Sequence, residues 1–419
     1  MALREGVSRN ERFTEKERRN LAILDIIRRA RETSRAEISK ITHLNIVTIS
    51  NYLDDYIAKG LVLEKGLDVS TGGRRPELLE LNSKFGYFIG VDLGSPQITE
   101  DAAVIAVMVD THGKTIWKAR IKKEEESQEK FIEKVNRIVG EVITKSKVEK
   151  AKIRGIGIGI WGVLDRYKGT VRYAVEKGGI FSYTSLQTAL EREYDISSLV
   201  EHDATCGALG EKWMGLGLST DAEDIVYMCS DSSCGLILNA ELYYGASKSA
   251  GELNLNPPSK DFKDNNCWAT YDHGCGFRSR GIDLGIVPRA KASLSQKGAK
   301  TSKIMDMASG KIDNITLGMV VEAAKEHDEL AVSVLNEAGD YLGAKIAFLI
   351  NLFNPDAVVI GRGIEKCGEA FLDAVRKSVK KWAYEESLKI ARIATTSLGE
   401  DSIACGAAAL VMQQIFTKV

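Results

Sequence analysis

The chain has 419 residues, 44% hydrophobic and 27% charged, with a formal net charge of −1. This is ordinary composition for a soluble globular protein of two or three domains, and without a global basic field any nucleic-acid site has to be local. Seven scattered cysteines, charged first residues without a signal-peptide core, and no apolar run near the ~18 residues of a membrane helix argue against secretion and membrane insertion, so a cytoplasmic protein is expected.

In chain order, "RRNLAILDIIRRAR" (18–31) places Leu21, Ile23, Leu24 and Ile27 at helical spacing with arginines on the other face. Ser34 and Glu37 have capping-box spacing, which starts a second, two-turn helix at about Arg35. Asn45 caps a third helix that puts Ile46, Ile49, Leu53 and Ile57 on one side and Thr48, Asn51, Tyr52 and Asp55 on the other, and Gly60 ends it. The stretches "LVLEK" and "ELLELN" read as a β-hairpin whose tip carries Gly72, Gly73, Arg74 and Arg75. Three short helices and a hairpin with a basic tip describe a winged helix-turn-helix. Its third helix enters the major groove with Thr48, Asn51 and Tyr52, while Ser34, Arg35, Asn45 and the wing arginines Arg74 and Arg75 complete the expected DNA-binding set.

After Tyr87 the pattern alternates between β and α. "YFIGVDLG", "AAVIAVMVD" and "KTIWKARIKK" read as a strand meander. A helix over "SQEKFIEKVNRIVGEVITKSK", a buried strand "IRGIGIGI", a short helix, the strand "SSLVEHD" and the helix "ATCGALGEKWMGLG" follow. This order is half of a ribonuclease-H-like lobe. It recurs with a hairpin in 224–246, helices expected around 315–337 and 338–352, the strand "DAVVIG", another helix, the strand "LKIARIATTSL" and a closing helix that Asp401 caps.

Six blocks, "SRAEISKITHLNIVTIS", "GLVLEKGLDVSTGGRRPELLELN", "GIGIGIWGVLD", "VEHDATCGALGEKW", "YYGASKSAGEL" and "INLFNPDAVVIGRG", resemble the ROK family (repressors, open reading frames, kinases) in order over nearly the whole length. The resemblance is to its transcriptional-regulator branch. It implies an α/β fold: an N-terminal winged helix-turn-helix plus a two-lobed actin/hexokinase-like (ribonuclease-H-like) body. The expected divisions are 1–82 for the DNA-binding domain, 83–203 for the first lobe and 204–419 for the second, with the C-terminal helix packing back on the first. The family's phosphate-binding motifs are altered here. Its first turn resembles Asp-x-Gly-Gly-Thr-Lys, against Asp92-Leu93-Gly94-Ser95-Pro96-Gln97, where Pro96 has no N–H to offer a phosphate. The second turn is "CSDSSCGLIL", with one glycine, Gly235, in place and Asp231 set to repel a phosphate, and a Gly-Gly pair becomes Gly361-Arg362.

The resemblance places Asp203 where family kinases have their catalytic base, which also binds a sugar hydroxyl; as the residue before a helix it is equally a good N-cap. Glu252, His202 and Glu176 complete the implied sugar site. The usual His there is Leu255, and of the implied zinc set Cys267 and Cys275 remain, with His273 nearby, one ligand short of a closed site. The expectation is a non-enzymatic regulator, a repressor, with no cofactor and no metal. Its partners are operator DNA, a sugar or sugar-derivative effector and a second copy of the chain. The rival readings are a sugar kinase with an appended DNA-binding domain and a regulator whose body only dimerises or binds a partner protein.

Overall fold

The computed structural model describes residues 13–67, 77–94, 102–172, 180–218, 220–230, 232–253, 284–296 and 302–419. The chain divides into two compact units, one of 1–202 with 403–419 and one of 203–402.

The first unit begins with a helical head. Helix α1 (Glu15–Ala30) is started by a capping box between Thr14 and Glu17. It buries Ile23, Leu24 and Ile27, and also Arg28, whose guanidinium pairs with Asp25 rather than joining a solvated arginine face. Strand β1 (Thr33–Ser34) leads into α2 (Arg35–Thr42), where Ser34 and Glu37 cap reciprocally. Helix α3 (Ile46–Ala58) follows, and Gly60, at φ 73°, takes the left-handed position beyond its end. Strands β2 (Val62–Leu67) and β3 (Glu77–Leu81) pair antiparallel, and β1 adds to β3, which completes the three-stranded sheet of a winged helix-turn-helix. The buried face of α3 is Ile49, Leu53 and Tyr56. Ile46 is 46% exposed and Ile57 only half-buried, so both depart from the expected core side.

The rest of this unit is built on strands β4 (Tyr87–Asp92), β5 (Ala103–Asp110), β6 (Thr115–Lys122) and β7 (Ile153–Ile160). A small antiparallel sheet of β8 (Val163–Asp165), β9 (Thr170–Arg172) and β10 (Ile180–Ser182) follows, then β11 (Ser198–His202). The main sheet runs β11-β7-β4-β5-β6, with β4, β7 and β11 parallel and the β4–β5–β6 meander antiparallel. Helices α4 (Gln128–Ser146) and α5 (Tyr183–Tyr194) contribute Val135, Ile138, Leu186 and Leu190 to the core that these strands share.

The second unit repeats the same order. It holds helix α6 (Asp203–Met214) and strands β12 (Ile225–Met228), β13 (Cys234–Leu238), β14 (Glu241–Leu242), β15 (Ala357–Ile360) and β16 (Arg392–Thr395), in the order β14-β13-β12-β15-β16. Helices α7 (Leu317–Lys325), α8 (Glu329–Phe353) and α9 (Gly368–Trp382) cover it. The break between α7 and α8 falls at 326–328, where Asp328 caps α8, and not at 337/338 as the pattern implied. Alternation of apolar residues continues through 337, so only the cap marks the break.

The last helix, α10 (Ser402–Thr417), belongs from Ile403 onward to the first unit. It lies on a floor of glycines. A Cβ on Gly90 would strike the Ala404 carbonyl, one on Gly157 the Ala407 carbonyl and one on Gly155 the Val411 side chain. Gly90 and Gly157 sit opposite each other on neighbouring strands. The repeated glycines of "GIGIGI" thus let helix backbone meet sheet backbone.

Candidate functional site

The DNA-facing candidates divide by how much of each side chain is already engaged. Asn45 Oδ1 accepts the Thr48 N–H at 2.7 Å, so Asn45 caps α3; Asn45→Ala is expected to lower head stability by about 1 kcal/mol in a thermal melt. Ser34 is buried and accepts the Glu37 N–H, which makes it a cap too. Arg35 donates to Glu77 at 2.9 Å, Glu64 at 3.1 Å and Asp54 at 3.4 Å, so its guanidinium ties α2 to α3 and the hairpin. Thr48 is half-buried, Asn51 exposed, and Tyr52 half-buried with its ring 6.2 Å from that of Tyr56. Sequence reasoning passed over Ile41, 59% exposed, and Val47, 66% exposed, and assigned Ile46 to the core. Ile41 lies in the last turn of α2, and Ile46 and Val47 leave aliphatic side chains exposed at the start of α3, the kind that pack on thymine methyl groups where a helix enters a major groove. Arg74 and Arg75, with Gly72 and Gly73, lie outside the described residues.

In the second unit, α6 starts at Asp203 itself, not after it. Asp203 is fully buried; its Oδ1 accepts the Ala204 N–H at 2.7 Å and its Oδ2 pairs with the Arg362 guanidinium. Arg362 Nη1 also lies 3.3 Å from Cys229 Sγ. Arg362 holds a left-handed φ of 58° in the turn after β15, between Gly361 and Gly363. A residue that replaces a glycine at such a position costs about 1–2 kcal/mol, and here its side chain answers a buried carboxylate. The Gly361-Arg362 substitution was visible in sequence, but its partner lies 159 residues away.

Glu252 is exposed and sits opposite Ser233 in an isolated β-bridge. Burial, and then the charge of Glu252, push the nearby Cys234 thiol up to about 12. In the first unit His202 is half-buried and its backbone N–H donates to the Glu201 carboxylate at 2.8 Å. Arg166, which sequence reasoning did not single out, holds Glu201 through both carboxylate oxygens, at 2.7 and 2.8 Å. Glu176, Leu255, Cys267, His273 and Cys275 lie outside the described residues, as do Ser95, Pro96, Gln97 and Asp231.

At the first turn, Asp92 Oδ1 accepts the Gly94 N–H at 2.8 Å, and buried Lys123 donates to the carbonyls of Leu93 at 3.0 Å and Gly94 at 3.4 Å. Lys123, the residue after β6, thus holds the carbonyls with which the chain enters this turn. In the second unit Gly235 has a packing reason: a Cβ there would strike the Ala204 carbonyl of α6.

Comparison with known proteins matches residues 88–414 to the ROK family. The chain belongs to the ROK family. A relative from Caldicellulosiruptor sp. strain Rt8B.4 is 32% identical over 94% of this chain and 95% of its own length. The xylose repressor of Caldicellulosiruptor bescii is 28% identical over 95% of this chain and 96% of its own. Among solved structures, a ROK family transcriptional regulator, a homolog of E. coli MLC, is 19% identical, covers 96% of this chain and 97% of its own and gives a TM-score of 0.68, a likeness of fold. Both relatives and this structure extend over the head, which precedes the segment matched to the ROK family.

Proposed function

We propose that this chain is a sequence-specific DNA-binding transcriptional repressor whose ROK body responds to a sugar, an aldopentose such as xylose. The observation that carries the reading is α3: a capped helix within a three-stranded wing fold, presenting Asn51, Ile46 and Val47 to solvent. An exposed amide beside exposed aliphatics is the set that reads adenine edges and thymine methyls. Repressor names among relatives aligned over both head and body support it, and the xylose repressors among them suggest the effector. The protein acts as a homodimer on a palindromic operator, with Arg74 and Arg75 on the DNA backbone and the body as a sensor rather than a kinase. The Asp203–Arg362 pair favours the sensor, because a carboxylate held in a buried ion pair is a poor general base.

Operator titrations test the reading. Asn51→Ala should weaken operator binding by about 1–3 kcal/mol with little change on random duplex. D-xylose should weaken operator binding by the parent, and ATP turnover with a sugar panel should stay at background. Operator binding by a chain lacking residues 1–82, or sugar phosphorylation by the parent, would overturn it.

A further inference from the structure

Asn20, in the middle of α1, is fully buried and makes three hydrogen bonds to distant parts of the chain. Its Nδ2 donates to the backbone oxygens of Thr417 at 3.2 Å and Val419 at 3.0 Å. Its Oδ1 accepts the Tyr56 hydroxyl at 2.7 Å. The chemistry fixes this orientation, since backbone oxygens only accept and must face the amide nitrogen. Tyr56 is itself fully buried on α3, and burial pushes its phenol far above the usual range, so it stays a donor. One turn earlier, the Tyr52 ring lies against it at a 44° tilt. Phe416, Thr417 and Val419 are buried around the same end of α10. One amide thus joins the last turn of α10 to the helix that faces DNA.

We propose that Asn20 is a positioning residue for operator recognition, setting the roll of α3 through Tyr56 and coupling it to the last turn of α10. The inference rests on the reading of α3 as the operator-reading helix. A buried asparagine is a costly way to join two helices if packing alone is required, because any unmet bond carries a desolvation penalty. What it adds over leucine is direction: only one placement of Tyr56 and the 417–419 backbone satisfies all three bonds. The chain crosses between the two units at 202–203 and again at 402–403, directly into α10. A change that pulls on α10 therefore reaches Tyr52 and its neighbours along bonded groups.

The test uses the full chain as parent, Asn20→Leu, Tyr56→Phe and the double variant. The double variant removes both partners of the Tyr56–Asn20 bond but leaves the Thr417 and Val419 oxygens without their donor, so it should still fold while melting below the parent, and binding is compared well below its melting temperature. The probes are an operator duplex selected with the parent and a scrambled duplex of equal length. The expected result is a roughly tenfold or larger loss of operator-over-scrambled preference in the folded double variant. In the parent, operator binding should also slow amide exchange in residues 416–418, and the double variant should lose that protection while keeping it in α3. A folded double variant with undiminished preference overturns the inference. So does a parent whose protection on operator stays within the head, because a structural role alone predicts that pattern. If the parent selects no duplex at all, the DNA-binding reading falls, and this inference with it.

Discussion

Arg362→Ala should lower the stability of the second unit by about 3–5 kcal/mol, the usual cost of removing one member of a buried ion pair. Asp203 is fully buried and Arg362 only 12% exposed, so water cannot easily replace the guanidinium. Two controls separate charge from backbone. Arg362→Gly relieves the left-handed φ of 58° and should recover about 1 kcal/mol relative to alanine, yet remain well below the parent. Asp203→Asn combined with Arg362→Met removes both charges and should lie closer to the parent than either residue's loss alone, since two apolar or neutral partners leave no buried charge behind. Urea unfolding read on the second unit's own transition is the measurement, because a chain of two units need not unfold in one step. An Arg362→Ala protein that unfolds with the parent would mean that the pair does not form in solution.

Gly157→Ala should be about as damaging in the first unit, at ~3 kcal/mol or more. Its new methyl would fall on the Ala407 carbonyl of α10, and neither the helix backbone nor the strand backbone can rotate away. Gly90→Ala, against the Ala404 carbonyl, should cost the same, whereas Gly155→Ala clashes with the Val411 side chain, which can change rotamer, and otherwise only touches the Ser197 carbonyl at 3.4 Å, so it should cost less. Thermal melts should place Gly155→Ala above the other two, which should melt together. If Gly157→Ala proves milder than Gly155→Ala, α10 does not lie against β4 and β7 as described.

Local features were legible in the sequence because their partners lie close along the chain. Ser34 with Glu37, Asn45 with Thr48, and Gly60 after α3 are read within four residues and each took its expected place. The succession of strands and helices was readable for a related reason, since each element carries its own periodicity and end signals. What escaped has its cause at long range. On a helical wheel Ile57 competes with Tyr56 for the core, and the choice falls to Tyr56 because Asn20, 36 residues earlier, accepts its hydroxyl. Asp203 could be read as a cap and a sugar ligand, but not as the partner of Arg362. Arg35 stands in the expected DNA-binding set, and its three carboxylate partners, from α3 and both hairpin strands, lie 19 to 42 residues away and beyond local reading.

The discontinuity of the first unit bears on how the protein is made. Its glycine floor on β4 and β7 is synthesised early, while the segment that covers it, 403–419, comes after the intervening 203–402. At about 5–20 residues per second, translation leaves that sheet face uncovered for roughly 12–50 s after β7 is made. The nascent chain is therefore open to mispairing throughout that interval, and ribosome-associated chaperones would have their longest opportunity on this half of the molecule. Loss of the final helix should yield a chain that aggregates rather than a smaller folded regulator.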